Sequence, residues 1–286
     1  MVPHPAPPPL RPYEGRQFSY ARPEDPWLQR VIIRAAERLT GSRQLQKIYD
    51  YLHRNNPDPY SIWGETLERL HIQMDYDERQ LEKVPKTGPV IFIANHPFGL
   101  VDGAMFLHLA TRVRPDFFLL INEVLAHEPV LEGHLLPVDF RPGPAAKATN
   151  LATRQKTRAR LQAGEALVIF PSGGVATAFR WSGPVEEWPW RTFICPQIHS
   201  TQCTVVPIFF HGQNSWLFHL VSKINMNLRL GLLIHEALNK RGQTIQAVIG
   251  DPIPYAEMAP YKNRQALIGF LQARTMALGQ PSGEGK

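Results

Sequence analysis

Five short apolar runs set the strongest limit on what this chain can fold into. Residues 90–94, 117–121, 166–170, 204–210 and 246–249 are rich in β-branched and aromatic side chains and are bounded by Gly, Pro or Asn. A run that stays apolar at successive positions, instead of alternating, belongs to a strand covered on both faces. Helix candidates lie between several of these runs, at 102–111, 146–163 and around 215–222. That rhythm predicts an α/β fold: a single domain with a mainly parallel central sheet covered by helices. Asn263 stands where it caps a last helix whose Ala266, Leu267, Phe270 and Leu271 share one face.

Three regions follow from changes in texture along the chain. Residues 1–26 carry Pro3, Pro5, Pro7, Pro8, Pro9 and Pro12 and read as an extended, mobile arm. Residues 27–84 read as an N-terminal helical extension, with further helical stretches at 45–54 and 62–70. In its first helix Trp27, Leu28, Val31, Ile32, Ala35 and Leu39 recur at helical spacing, and Arg30, Arg34 and Arg38 fall four apart on another face. An apolar face beside an arginine stripe suits a membrane interface, and it equally suits packing onto the domain. Residues 85–280 hold the α/β domain.

The balance of charge narrows the partners. Basic residues exceed acidic ones by +6, with an isoelectric point near 9.4, which favours anionic partners: phosphate, a phospholipid surface, nucleic acid or an acidic protein. Cys195 and Cys203 are too few for a disulfide framework and lack the companions of a zinc site, which points to a reducing compartment. His235-Glu236 fails as a metalloprotease motif because position 239 is Asn, so no metal is expected. No apolar run approaches the roughly 18–20 residues of a spanning helix, and the N-terminus lacks a secretory pattern. The expectation is a chain that is soluble or lies on a membrane.

In open α/β sheets, ligands gather at the carboxyl ends of the strands, so the loops that follow the predicted strands come first. After the first run stands Asn95-His96-Pro97-Phe98-Gly99-Leu100-Val101-Asp102. On one helix, residues six apart sit about 240° around the axis and do not meet. Pro97 and Gly99 call for a turn instead, with a helix beginning near Asp102, whose carboxylate then accepts the His96 imidazole N–H. A histidine held in this way is equipped to act as a general base. The plainer alternative is a helix-capping Asp102 beside an ordinary loop histidine. After the third run stand Ser172, Gly173 and Gly174, small residues whose backbone N–H groups suit an anionic oxygen and suit a plain tight turn equally well. The fourth run contains Pro207, which implies an edge, a bulge or a bend, and leads to His211, Gln213 and Asn214.

Together these loops resemble the glycerol-phosphate and lysophospholipid acyltransferase superfamily, over about residues 85–255. The form Asn-His-Pro-Phe-Gly-(two residues)-Asp-Gly is similar to a bacterial branch described as hemolysin-like or lyso-ornithine-lipid acyltransferases. The resemblance makes His96 and Asp102 the catalytic dyad, with five intervening residues where four are commoner. It puts 135–141 in the acceptor-binding block with Arg141 as head-group contact. Phe170-Pro171-Ser172-Gly173-Gly174 falls at the Phe-Pro-Glu-Gly block, and Val206-Pro207-Ile208 at the last block. Asn95, Pro207 and His211 are weaker candidates. Ser172 stands where an acidic residue is common, and Gly173-Gly174-Val175 where Gly-Thr-Arg is common, which weakens lysophosphatidic acid as acceptor and favours an amino-acid lysolipid.

The resemblance implies transfer of a fatty acyl group from a thioester to a lysolipid hydroxyl, with no cofactor. His96 is the base, Asp102 its holder, and N–H groups near Ser172–Gly174 the oxyanion donors. The co-substrate is acyl carrier protein or acyl-coenzyme A. The segment 146–163, with Lys147, Arg154, Lys156, Arg158 and Arg160 and no acid, suits an acidic carrier or the coenzyme's phosphates, and it equally suits a solvated helix face; the resemblance to the branch inclines the choice toward the carrier. A lipid acceptor implies peripheral association with the cytoplasmic face of the inner membrane. Two rival classes remain: a serine hydrolase using Ser172, and a basic nucleic-acid-binding protein. Phe170 at the first Gly position of Gly-x-Ser-x-Gly speaks against the former. The lack of aromatics among the basic runs speaks against the latter.

Overall fold

The computed structural model describes residues 26–28, 30–31, 34–35, 41–55, 58–122, 129–139, 143–178, 183–224 and 226–280. In chain order these form α1 (Ser42–Asn55), α2 (Ile62–Arg69), β1 (Gln73–Asp75), α3 (Glu78–Glu82), β2 (Val90–Ala94), α4 (Leu100–Val113), β3 (Phe117–Asn122), β4 (Leu135–Val138), α5 (Pro144–Gln162) and β5 (Ala166–Ile169). They continue with β6 (Thr177–Ala178), β7 (Val185–Glu186), α6 (Cys195–Thr201), β8 (Thr204–Phe210), α7 (Trp216–Ile224), α8 (Met226–Asn239), β9 (Thr244–Ile249), α9 (Tyr255–Met258) and α10 (Arg264–Ala277). The proline-rich arm, apart from residue 26, lies outside the described residues.

Seven strands make one sheet in the order β1-β9-β8-β2-β5-β3-β4. β2 pairs in parallel with β5 and β8, and β3 in parallel with β5 and β4. β9 runs antiparallel to β8 and carries β1 parallel to itself, so these two strands are reversed against the other five. The fold is therefore α/β with a mainly parallel sheet, as the apolar runs require. Both faces of β2 are sealed. Val90, Phe92 and Ala94 pack with Leu67, Phe106 and Ile234, and Ile91 and Ile93 pack with Leu161, Ile198 and Leu267. Each fully buried side chain of this size contributes roughly 1.5–3 kcal/mol, so neither face of β2 tolerates a polar residue.

Several features differ from the sequence expectation. Residues 73–75, read as part of a helical extension, form an edge strand of the sheet, in a segment of three residues with both outer ones exposed. β4, α6 and α8 were not expected as elements. Pro207 lies in an interior strand and not at an edge. Its place is opposite a bulge: Val205 bridges to Ile253 and Ile208 pairs with Ile249, so four residues of β8 face five of the partner segment. The missing proline N–H falls at this break, and the Pro207 carbonyl accepts from Gly250 N at 2.8 Å.

At the opposite end of the sheet from the candidate loops, the Arg114 side chain is fully buried. Its guanidinium donates to both carboxylate oxygens of Asp116, at 2.8 and 2.7 Å, and to the carbonyls of Pro85, Gly88 and Gly164. One side chain thus ties together the loops that enter β2, β3 and β5.

Candidate active site

The loop after β2 is fixed at its root. Asn95, buried, donates from Nδ2 to the Phe210 carbonyl at 2.9 Å and accepts the Phe210 N–H at 2.7 Å, clamping the end of β2 to the end of β8. Beyond it the chain turns through Pro97 and Phe98 to Gly99, whose φ of +100° is left-handed territory that glycine accepts without strain. A side chain there would also lie 2.8 Å from Leu233 Cδ2 and 3.2 Å from Val175 Cγ2. Helix α4 then begins at Leu100, two residues earlier than expected, with Asp102 as its third residue.

Asp102 is fully buried and accepts from Phe98 N and Gly99 N, each at 2.8 Å. The same carboxylate meets His96 Nδ1 at 3.1 Å. The turn thus brings together two side chains six apart in sequence, and Asp102 both caps the helix and holds the imidazole. The His96 ring lies flat on Phe170, centroids 3.9 Å apart and 16° between planes, which fixes it from one face. With Nδ1 on the carboxylate, Nε2 is the nitrogen that can take a proton from a ligand.

The loop after β5 comes close to the same ring. Ser172 is buried, and its hydroxyl donates to Gly174 O at 3.1 Å. Gly173 N donates to Phe170 O at 3.0 Å, so the tight turn uses that N–H. Gly174 packs against the Trp188 indole and does not line the cavity. Ser172 makes no hydrogen bond to His96, the contact that the hydrolase alternative needs.

The loop after β8 plays a supporting part. The His211 ring packs edge-on against Phe209 at 4.9 Å, and neither His211 nor Pro207 lines the cavity. Asn214 donates to Phe98 O at 3.2 Å and so holds the His96 turn from behind, while Ser215 caps α7 by accepting Phe218 N. Arg141 lies outside the described residues. Asp139, the last described residue before it, exchanges two bonds between its backbone and the Asn150 side chain, at 2.9 and 2.8 Å.

His96 opens onto a cavity of about 1190 Å³ at the carboxyl ends of β3 and β5. Leu45, Ile48 and Leu52 of α1 and Ile62 and Trp63 of α2 line an apolar part, and Arg154, Asn150 and Arg191 line a polar part. The volume exceeds the roughly 300–1,000 Å³ usual for small-molecule sites, so an elongated ligand fits. Arg154 is exposed, 5.8 Å above the Phe193 ring.

Residues 67–282 match the model of the acyltransferase family. The chain belongs to that family. This acyltransferase chain is 28% identical to a lyso-glycine lipid O-acyltransferase from Phocaeicola vulgatus, over 61% of its own length and 63% of the relative's. It is also 28% identical to a lyso-glycine lipid O-acyltransferase from Bacteroides thetaiotaomicron, over 61% and 64% of the two lengths. The match spans less than two thirds of each relative. Among solved structures, the crystal structure of the 1-acyl-sn-glycerophosphate (LPA) acyltransferase PlsC from Thermotoga maritima aligns with 91% of this chain and 98% of its own, at 12% identity and a TM-score of 0.48.

Sequence reasoning missed one stretch of the candidate site, Glu187-Trp188-Pro189-Trp190-Arg191, which follows the small β6–β7 ribbon. Trp188 Nε1 donates to Val175 O at 3.1 Å, and Arg191 N to Pro171 O at 2.9 Å, so the stretch straps down the Ser172 loop. Glu187 Oε2 accepts the His96 backbone N–H at 3.1 Å. Burial, above all, raises the Glu187 carboxyl from its ordinary value, and Asp102's charge adds to this. The Ser172 hydroxyl, the His96 N–H and the His96 ring act the other way. Two indoles, an arginine and a carboxylate crowded into one loop were the available signal.

Proposed function

We propose that this chain moves a fatty acyl group from a thioester to the hydroxyl of an amino-acid lysolipid. The single observation that carries the reading is the His96 Nδ1–Asp102 contact of 3.1 Å at the wall of a large, mostly apolar cavity. His96 Nε2 takes the hydroxyl proton as the oxygen attacks the thioester carbon. The C–S bond then breaks, and the proton passes from the imidazolium to the leaving thiolate, giving ester and thiol. Asp102 keeps the imidazole in the right tautomer and stabilises the transient cation. Proton bookkeeping closes without a metal or a covalent enzyme intermediate. With Gly173 N engaged, the amide of Ser172, whose residue lines the cavity, is the remaining oxyanion donor of the loop.

The acceptor for which the two relatives are named supports an amino-acid lysolipid, a lyso-glycine lipid before a lyso-ornithine lipid. The sequence at 172–175, which lacks the acid and the arginine linked with a phosphate-bearing acceptor, agrees with that choice. For the donor we favour acyl carrier protein over coenzyme A. Lys147, Leu151, Arg154 and Arg158 fall on one exposed stripe of α5, of which Arg154 lines the cavity, with no acidic residue on the helix. Peripheral attachment to the cytoplasmic face of the inner membrane completes the reading. Trp27, Leu28 and Val31 are more than half exposed, a face with no cover among the described residues, and no described helix is long and apolar enough to cross a membrane.

The test is direct. Protein, an acyl thioester of either donor, and lyso-glycine or lyso-ornithine lipid are incubated and the lipids weighed by mass spectrometry. A doubly acylated product that depends on the protein and vanishes with His96→Ala is expected. Acceptance of neither amino-acid lysolipid with either donor would reject the reading.

A further inference from the structure

His96 is held at both ends of its backbone. Its carbonyl accepts Ala176 N at 2.7 Å, and its N–H goes to Glu187 Oε2, ninety-one residues along the chain. A backbone carbonyl or a neutral amide would serve as acceptor for that N–H without burying a charge. The molecule instead uses a carboxylate whose second oxygen, Oε1, is buried with no hydrogen-bond partner at close distance among the described residues, the Ser172 hydroxyl being the other donor that acts on this carboxylate. Burying a half-satisfied carboxylate lowers stability. Such an arrangement is kept where it serves a site and not the fold. Among the described residues, the charged groups beside His96 include Asp102, from the first turn of α4, and Glu187, from the stretch after β7. Phe170 and Ser172, also close by, are neutral.

We propose that Glu187 is a positioning residue for His96: it fixes the turn that carries the imidazole and sets a second negative charge beside it. When His96 takes the proton of the acceptor hydroxyl, the cation forms between two carboxylates and not beside one. Asp102 orients the ring through Nδ1, and Glu187 acts through the backbone and through space. This proposal rests on His96 being the base of the reaction.

Glu187→Gln and Glu187→Ala, with His96→Ala as control, test it through kcat, KM and the pH profile of acyl transfer. Gln keeps an oxygen for the His96 N–H and removes only the charge. It should fold, lower the plateau of kcat, move the acid limb of the profile to lower pH, and leave KM for the lysolipid within about threefold. Ala also releases the turn, and misplacing a reacting group by about 1 Å lowers rate by about 10²-fold. A Gln variant whose acid limb and plateau both coincide with those of the unmodified protein overturns the proposal, whether or not the Ala variant folds. If His96→Ala keeps its rate, the base assignment itself falls. If His96→Ala is inactive while both Glu187 variants match the unmodified protein, only the role of Glu187 falls.

Discussion

Replacing His96 and Asp102 singly and together separates what the pair does for the reaction from what Asp102 does for the fold. The Asp102 carboxylate accepts three bonds, and two of them come from backbone N–H groups, Phe98 and Gly99 at 2.8 Å. Asp102→Ala strands both donors in the interior. At about 1–3 kcal/mol for each buried unsatisfied group, the fold loses about 2–6 kcal/mol. That is a large part of the roughly 5–15 kcal/mol available to a typical domain, so Asp102→Asn, which keeps one acceptor oxygen, is the variant to use. His96→Ala leaves both N–H bonds intact and should change stability by about 1 kcal/mol. The rates should behave otherwise. A positioned base is worth about 10²–10⁴-fold, or about 2.7–5.5 kcal/mol of barrier. Groups that act as one unit lose that sum once, so the double variant should be no slower than His96→Ala, within about threefold, while the stability losses should fall short of additive by the worth of the bond the two side chains share. Initial rates by mass spectrometry and urea unfolding of the same four proteins give both cycles. Rate losses that multiply in the double variant would refute the idea that the imidazole works through this carboxylate.

Two further expectations concern the scaffold. Arg114→Ala leaves three loop carbonyls without their shared donor, at about 1–3 kcal/mol for each group left buried and unsatisfied, while Asp116, 40% exposed, turns to water. The urea midpoint should fall steeply while the folded fraction keeps its kcat, because Arg114 does not line the cavity. Burial pushes the thiol of Cys195 up to about 11 and that of Cys203 to about 12. These raised values mean stability that is whole below pH 9 and declines as pH climbs from 9 toward 12. At pH 8 a disulfide reagent should titrate neither thiol until the protein is unfolded, and rapid labelling of the native protein would contradict their burial.

Much of this was legible from local pattern. The runs at 90–94 and 204–210 became β2 and β8 with the bounds read from sequence, because an uninterrupted apolar stretch between turn residues has one use inside a covered sheet. The His96–Asp102 contact was legible because Pro97 and Gly99 rule out the continuous helix that would separate them. Asn263 caps α10 as its position implied, accepting from Gln265 N and Ala266 N. What escaped lacks a local signature. β1 is three residues long, and its partner is supplied from residue 244 onward. The stretch that became α8 spaces Leu228, Leu230, Leu232, Leu233 and Ile234 around Arg229 and Gly231, a pattern that fits helix and strand equally. Glu187 reaches His96 only after β6 and β7 have folded back, a tertiary event that no spacing encodes. Gly173 looked available for a ligand because its turn bond to Phe170 O cannot be inferred from composition.

Gly99 has a consequence for anyone who varies this protein at random. Its α-carbon is pinched between Leu233 of α8 and Val175 after β5, two residues that never touch the cavity. A library that spares every cavity-lining position but diversifies these two would still reshape the bend on which the imidazole rides. Loss of turnover in such a library would report on the seating of one α-carbon, not on altered ligand contacts.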